Sequence, residues 1–205
     1  RKMAENGEVY SGILAHLEKM KELPSLRESL MNWIERTPIM GSIYGSEGDE
    51  ALVAAYIDAH LQAHKEVCDS ASGSSEMMAE RMMNVHEAAK SFLKPKGRVS
   101  RARAGLLFIE SYRELPLLTW PRKLIDAIVE LEESMVKWRH SHARMVERIM
   151  GRRIGTGGTS GVDYLDATSK YRVFKDLWSV RTILVKPQSR PELKGGEFYG
   201  YTSTK

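Results

Sequence analysis

LIDAIVELEESMVKWRHSHARMVERIMG, residues 124–151, carries the pattern that decides the fold. Leu124, Ile128, Leu131, Met135, Trp138, His142, Met145 and Ile149 recur in steps of four and three, the spacing of a helix packed along its length against partner helices. Seven of these eight are apolar, and the exception is His142. The pattern therefore predicts His142 in the core rather than in water, where its ring nitrogens need partners. The stripe alone favours a core histidine bonded to a backbone carbonyl. The sharper alternative is a metal or haem ligand, because a neutral imidazole on a rigid helix is a common axial donor to iron. Trp138 lies one turn earlier on the same face. His140 points about 160° away from His142, so the two do not share an ion from one regular helix. No HExxH occurs, which argues against a zinc site.

Outward from that helix the chain reads as almost wholly helical. Val9, Ile13, Leu14, Leu17 and Met20 give a helix over 8–22 that Pro24 stops. Ser25 with Glu28 makes a capping box for a helix carrying Leu26, Leu30, Trp33 and Ile34. Residues 41–48, with three glycines, form a loop, and a helix follows over 49–67. Residues 68–75 read as a loop, 76–93 as a Met-rich helix, 94–100 as a basic turn and 101–112 as a short helix. Pro121 suits the first turn of the long helix. The one β-branched run, Thr182–Val185, is short. The expectation is one helical domain over 1–185 and an irregular tail over 186–205 rich in Gly, Pro and Lys.

Four residues after Gly151, a helix-ending residue, comes Gly155-Thr156-Gly157-Gly158-Thr159-Ser160-Gly161. Four glycines and three hydroxyls in seven positions leave backbone amides open to an anion or a zwitterion. No Gly-Lys-Ser/Thr ending makes it a Walker loop, and no strand precedes it for a dinucleotide fingerprint. A flexible linker is the plainer reading. It suits poorly a loop held between two amphipathic segments, the second carrying Tyr164, Leu165, Tyr171, Val173, Phe174, Leu177 and Trp178.

Composition closes off other classes. The chain has 205 residues, net charge +4 and one cysteine, Cys68. No apolar run approaches the ~20 residues of a membrane span, and the N-terminus does not resemble a signal peptide. A lone cysteine makes no internal disulfide, which predicts a reducing, cytoplasmic setting. Lys137, Arg139, Arg144, Arg148, Arg152 and Arg153 give the long helix a basic face, but no aromatic residues interleave with them, so a solvated face is favoured over a nucleic-acid surface. Neither a nucleic-acid nor a membrane partner is expected.

The run Trp138-Arg139-His140-Ser141-His142 through Gly151, followed by Gly155-Thr156-Gly157-Gly158-Thr159-Ser160-Gly161-Val162-Asp163-Tyr164-Leu165, closely resembles the C-terminal signature of the tryptophan 2,3-dioxygenase superfamily, WRxxHxxxVxRxxG then GTGGSSGxxYL. Val173 through Thr182 resembles the bacterial members. Thr159 stands where that pattern has serine, and the hydroxyl is kept. The resemblance implies an all-α helical bundle around b-type haem, with His142 as the proximal iron ligand and Trp138 beside the cofactor. It implies that Thr156, with Gly155 and Gly157, meets the amino-acid end of the substrate. It further implies an oxygenase acting with O2 on an aromatic amino acid, foremost L-tryptophan to N-formylkynurenine. The alternative within the superfamily is a haem monooxygenase hydroxylating tryptophan, tyrosine or a methylated derivative. A homo-oligomer, dimer or tetramer, is expected. The distal HQxSELW-type motif has no counterpart here, so no catalytic acid or base is assigned in these residues. The chain is expected to be the C-terminal part of a longer protein, its pocket completed by a preceding segment or a second chain.

Overall fold

A computed structural model describes residues 7–73, 75–153 and 160–200, the side chains of 7–11 excepted. Among the described residues the fold is all-α, with one isolated bridge, Ile39 to Ser42, in place of any strand. The helices are α1 (Gly7–Lys21), α2 (Leu26–Glu35), α3 (Asp49–Ser72), α4 (Glu76–Leu93), α5 (Arg101–Ser111), α6 (Thr119–Met150), α7 (Gly161–Ser169) and α8 (Lys175–Ser179).

Local chemistry sets most of the boundaries. At the start of α2 the Ser25 hydroxyl accepts from the Glu28 amide (3.2 Å) while the Glu28 carboxylate accepts from the Ser25 amide (2.7 Å), a complete capping box. Ser75, Ser100 and Ser160 cap α4, α5 and α7 in the same one-sided way. Gly151 ends α6 at φ 64°, its amide bonded to the Glu147 carbonyl (2.9 Å). Pro121 falls in the first turn of α6, where its missing N–H has no intrahelical acceptor to lose.

α5 is the centre of the core. Every residue from Ala104 to Ile109 is buried, as is Tyr112 just beyond it. α2, α3 and the first half of α6, through Ile125 and Val129, pack around it. Gly105 lets α5 approach α2 closely, since a Cβ there would sit 2.5 Å from the Ile34 carbonyl oxygen. Asp49, buried at the start of α3, accepts from Ser42 Oγ (2.5 Å) and from Arg101 Nε and Nη2 (3.2 Å each). Arg101 also donates to the Thr37 carbonyl (2.8 Å), which ties α3, α5 and the 37–42 turn together.

One reading is corrected by the fold, and two others are filled in. α3 runs on to Ser72 rather than stopping at Val67, because Cys68 is buried against α4 and the Ser70 and Ser72 hydroxyls bond back to the Glu66 and Asp69 carbonyls. The β-branched run at Thr182–Val185 forms no strand. Val180–Thr182 is a 3-10 turn, and Ile183 is buried for its side chain rather than for any strand pairing. The segment 186–200 is irregular apart from the 3-10 turn Gly196–Tyr199, yet it is not peripheral. Tyr199 is fully buried against Phe108 (ring centroids 5.3 Å), donates to the Pro38 carbonyl (3.0 Å) and accepts from the Gly41 amide (3.0 Å).

Candidate functional site

The long helix α6 leads two lives. Its first half is a core helix. Beyond Val129 the apolar stripe leaves the body, and Leu131, Met135, Trp138, Met145 and Ile149 stand exposed, Trp138 at 65% and Ile149 at 75%. The stripe is therefore not packed along its whole length, contrary to what its spacing predicts, and His142 is not in the core. α7 docks on a neighbouring side of α6, where Val162 and Ala143 are both buried, and no described residue covers the stripe itself.

His142 sits within this open stripe, half-buried. Its ring stacks on the Trp138 indole one turn earlier, with centroids 5.3 Å apart and planes 6° apart. The four-residue spacing on a regular helix makes that stack, as side chains at i and i+4 lie one above the other. The carbonyl-bonded core histidine that the stripe suggests does exist in this chain, but it is His60. That ring is fully buried on α3 and its Nε2 lies 2.8 Å from the Ile183 carbonyl. Burial holds His60 neutral, its pKa lowered to about 4.

Gly155, Thr156 and Gly157 lie outside the described residues, which stop at Arg153 and resume at Ser160. Arg152, just upstream, reaches Glu147 (2.8 Å) and Asp163 (2.8 Å), and Arg144 grips both oxygens of Asp166 (2.5 Å each) and also bonds Glu147. The Arg144 hydrogen bond holds the Asp166 carboxyl below its usual range. Arg139 donates to the Tyr171 carbonyl (3.0 Å). Half of the basic face read as solvated is thus committed within the chain.

Sequence reasoning missed Glu132. Buried on α6, its carboxylate accepts from the amides of Val173 (2.5 Å) and Phe174 (2.9 Å) and from the Trp178 indole N–H. It pins the segment that follows α7 to the helix that carries His142. The available signal was weak: one acid among three in Glu130–Glu133. A second missed cluster joins α3 to α4, where His64 Nδ1 lies 3.3 Å from His86 Nδ1 and 3.7 Å from Cys68 Sγ. Among the described residues no three His, Cys, Asp or Glu side chains are grouped so as to hold a metal ion, and no helix is long and apolar enough to cross a membrane.

A family model described as tryptophan 2,3-dioxygenase matches residues 5–184. A tryptophan 2,3-dioxygenase-like protein of Xanthomonas campestris pv. campestris is 39% identical over 197 residues, covering 87% of this chain and 71% of that protein. A tryptophan 2,3-dioxygenase of Sorangium cellulosum is 41% identical, with 87% of this chain and 47% of that protein covered. Tryptophan 2,3-dioxygenase 2 of Ralstonia nicotianae is 43% identical, with 86% and 52% covered. The chain thus spans about half the length of the latter two.

Proposed function

From the premise that the chain belongs to the tryptophan 2,3-dioxygenase family, we propose that it serves a haem-dependent dioxygenase converting L-tryptophan and O2 to N-formylkynurenine. The observation that carries this reading is the placement of His142: an imidazole stacked on Trp138 in an apolar strip that no described residue covers.

The residues suit b-type haem. A porphyrin supplies four nitrogens of its own, so His142 alone would hold its iron where a bare metal ion would need a cage of three side chains. The strip beside His142 offers the apolar surface that a porphyrin face requires. Arg148, with Met145 and Ile149, lines a cleft of about 520 Å³ along the same helix, a cation next to apolar side chains that complements a ring bearing carboxylates. Haem, when bound, supplies the binding and activation of dioxygen.

The chain's own part is positional. α6 presents the His142 imidazole from a rigid helix, while Trp138 covers one face of that ring and keeps water from it. Thr156, with the amides around Gly155 and Gly157, is proposed to receive the ammonium and carboxylate of the substrate; hydroxyl and open backbone groups are the chemistry that such a zwitterion needs. The uncovered apolar residues of α1 and α6 support a homo-oligomer, and the buried free thiol of Cys68 supports a reducing, cytoplasmic setting.

The test is spectroscopic. His142→Ala, loaded with haem, is expected to lose the Soret and paramagnetic signature of histidine ligation and to lose turnover, with helical content unchanged. Identical axial ligation in the variant would sink the assignment. Product mass checks the reaction: the dioxygenase reading requires a gain of both oxygen atoms.

A further inference from the structure

The helix pair α3 and α4 holds a cluster of metal-ligating side chains that the proposed function does not use. His64 and Cys68 are buried one turn apart on α3, at 4% and 5% exposure, and His86 meets them from α4. The Nδ1 atoms of His64 and His86 are 3.3 Å apart, while the ring centroids are 5.5 Å apart. That nitrogen distance is close to the shortest that such a centroid distance permits, so the two nitrogens point at each other along the line joining the rings. Two lone pairs do not face one another unaided. Something positive stands between them, either a proton carried by one ring or a cation in its place. Cys68 Sγ lies 3.7 Å from the same His64 nitrogen. Cys68, His86, Met82 and Met83 line a cleft of about 440 Å³ together with Glu76 and Glu80, which brings soft donors and negative charge to one entry path. Lys65, on the same cleft, is paired with Asp69 (2.8 Å).

The geometry points to a site for a monovalent, closed-shell metal ion of the Cu(I) class, held in line between His64 Nδ1 and His86 Nδ1 and flanked by the Cys68 sulfur. A divalent ion asks for three or more side chains, which no group of described His, Cys, Asp or Glu residues supplies, whereas Cu(I) accepts two donors in line. Softness points the same way, since thiol and thioether sulfur favour Cu(I) over harder ions and imidazole suits copper as well. Metal–nitrogen bonds of about 2 Å set the nitrogens just under 4 Å apart, so His86, the half-buried ring at the cleft, gives by about 0.5 Å. Burial, with His86 beside it, lowers the His64 pKa and leaves that ring a neutral donor at pH 7. The ion takes the place of the proton between the rings. That proton moves from Nδ1 to Nε2 of the ring that carries it, and none is released. The Cys68 thiol, whose pKa burial raises, stays protonated. Once bound, the ion fastens the outer part of α4 to α3, where α4 buries only Ala89 and Leu93.

The full chain, free of haem, is titrated anaerobically with Cu(I) against a chelator of known affinity, and with Ag(I) in nitrate buffer as a redox-silent probe. One equivalent is expected to bind, with an affinity that moves less than about threefold between pH 7 and 8.5, because no proton leaves. X-ray absorption is expected to show two nitrogen neighbours at about 2 Å. Amide exchange over 76–88 is expected to slow on binding. His86→Gln, at a half-buried position, is expected to weaken binding at least about a hundredfold with helical content unchanged, and Cys68→Ser by less than about tenfold. Loss of binding in Met82→Leu with Met83→Leu overturns the inference, because the methionines of α4 are then the ligands. Loss in Cys68→Ser equal to that in His86→Gln, with affinity rising about tenfold per pH unit, overturns it in favour of a thiolate site. Binding abolished by His142→Ala, or no saturable equivalent in wild type, overturns it as well.

Discussion

His60 and His142 show what two environments make of one side chain. His142 stands in an open apolar strip with its ring against an indole, while His60 is sealed between α3 and Ile183. Burial lowers the His60 pKa to about 4, against an unfolded value near 6.5, and the Ile183 carbonyl only partly offsets this. Burial and the neighbouring His86 lower His64 as well. The sign follows from proton counts. Above pH 6.5 neither state of His60 binds the proton. Between about 6.5 and 4 the unfolded chain binds it and the folded chain does not, so stability falls as pH falls, by about 3 kcal/mol from His60 over that window. Urea midpoints at pH 7.5, 6, 5 and 4 measure it, and His60→Gln is expected to flatten much of the slope. A midpoint independent of pH between 7.5 and 4.5 in wild type would contradict the buried neutral assignment. The Trp138 neighbour of His142 was legible from the four-residue spacing, but the openness of its strip and the surroundings of His60 were not. Periodicity finds an apolar stripe and so noticed His142, but His60 lies on a long mixed helix whose partner, Ile183, is more than a hundred residues away.

At the scale of elements, the boundaries written in local chemistry were legible and those written in tertiary contact were not. The Ser25–Glu28 box and Gly151 act within one turn, so their residues announce them. α3 passes through Cys68-Asp69-Ser70-Ala71-Ser72, weak helix formers apart from Ala71, because burial of Cys68 and back-bonding of both serines outweigh propensity. Glu132 was invisible for a related reason: its three donors come from Val173, Phe174 and Trp178, and nothing in its own helix distinguishes it from Glu130 or Glu133. Gly105 belongs with these. In an isolated helix an alanine there is favourable by roughly 1 kcal/mol. In the fold its Cβ would stand 2.5 Å from the Ile34 carbonyl oxygen, a backbone atom that moves only if α2 and α5 separate. Gly105→Ala is expected to reverse the propensity gain and destabilise by about 2 kcal/mol, read as a lower urea midpoint at constant slope. A stabilised variant would mean that the two helices part at little cost.

At the scale of the whole molecule, the pattern of apolar residues is not satisfied by the described chain. The side chains of α1 from residue 12 to 21 are all exposed, Ile13, Leu14, Leu17 and Met20 among them along one face, while Leu131, Met135 and Trp138 stand open on α6. The stripe on residues 124–149 was legible as apolar, but periodicity says only that a face avoids water, never what covers it. Two amphipathic helices left uncovered in one chain are more than scattered surface hydrophobics, and they account physically for the proposed homo-oligomer. Full burial of a leucine-sized side chain contributes about 1.5–3 kcal/mol, and the four residues of α1, each about half exposed, add roughly half of that apiece where they meet a partner surface. Light scattering on the eluting protein is expected to give a mass of at least two chains of 23.2 kDa. Leu17→Glu with Met20→Glu, which places two carboxylates in that face, is expected to halve the mass or more while leaving helical content unchanged, because neither residue supports the core around α5. A wild type that elutes as one chain across the micromolar range would refute the oligomer. An unshifted double variant of an oligomeric wild type would instead assign the interface to the α6 strip, and Leu131→Glu, which the cofactor strip beyond Trp138 does not require, would then be the substitution that dissociates it.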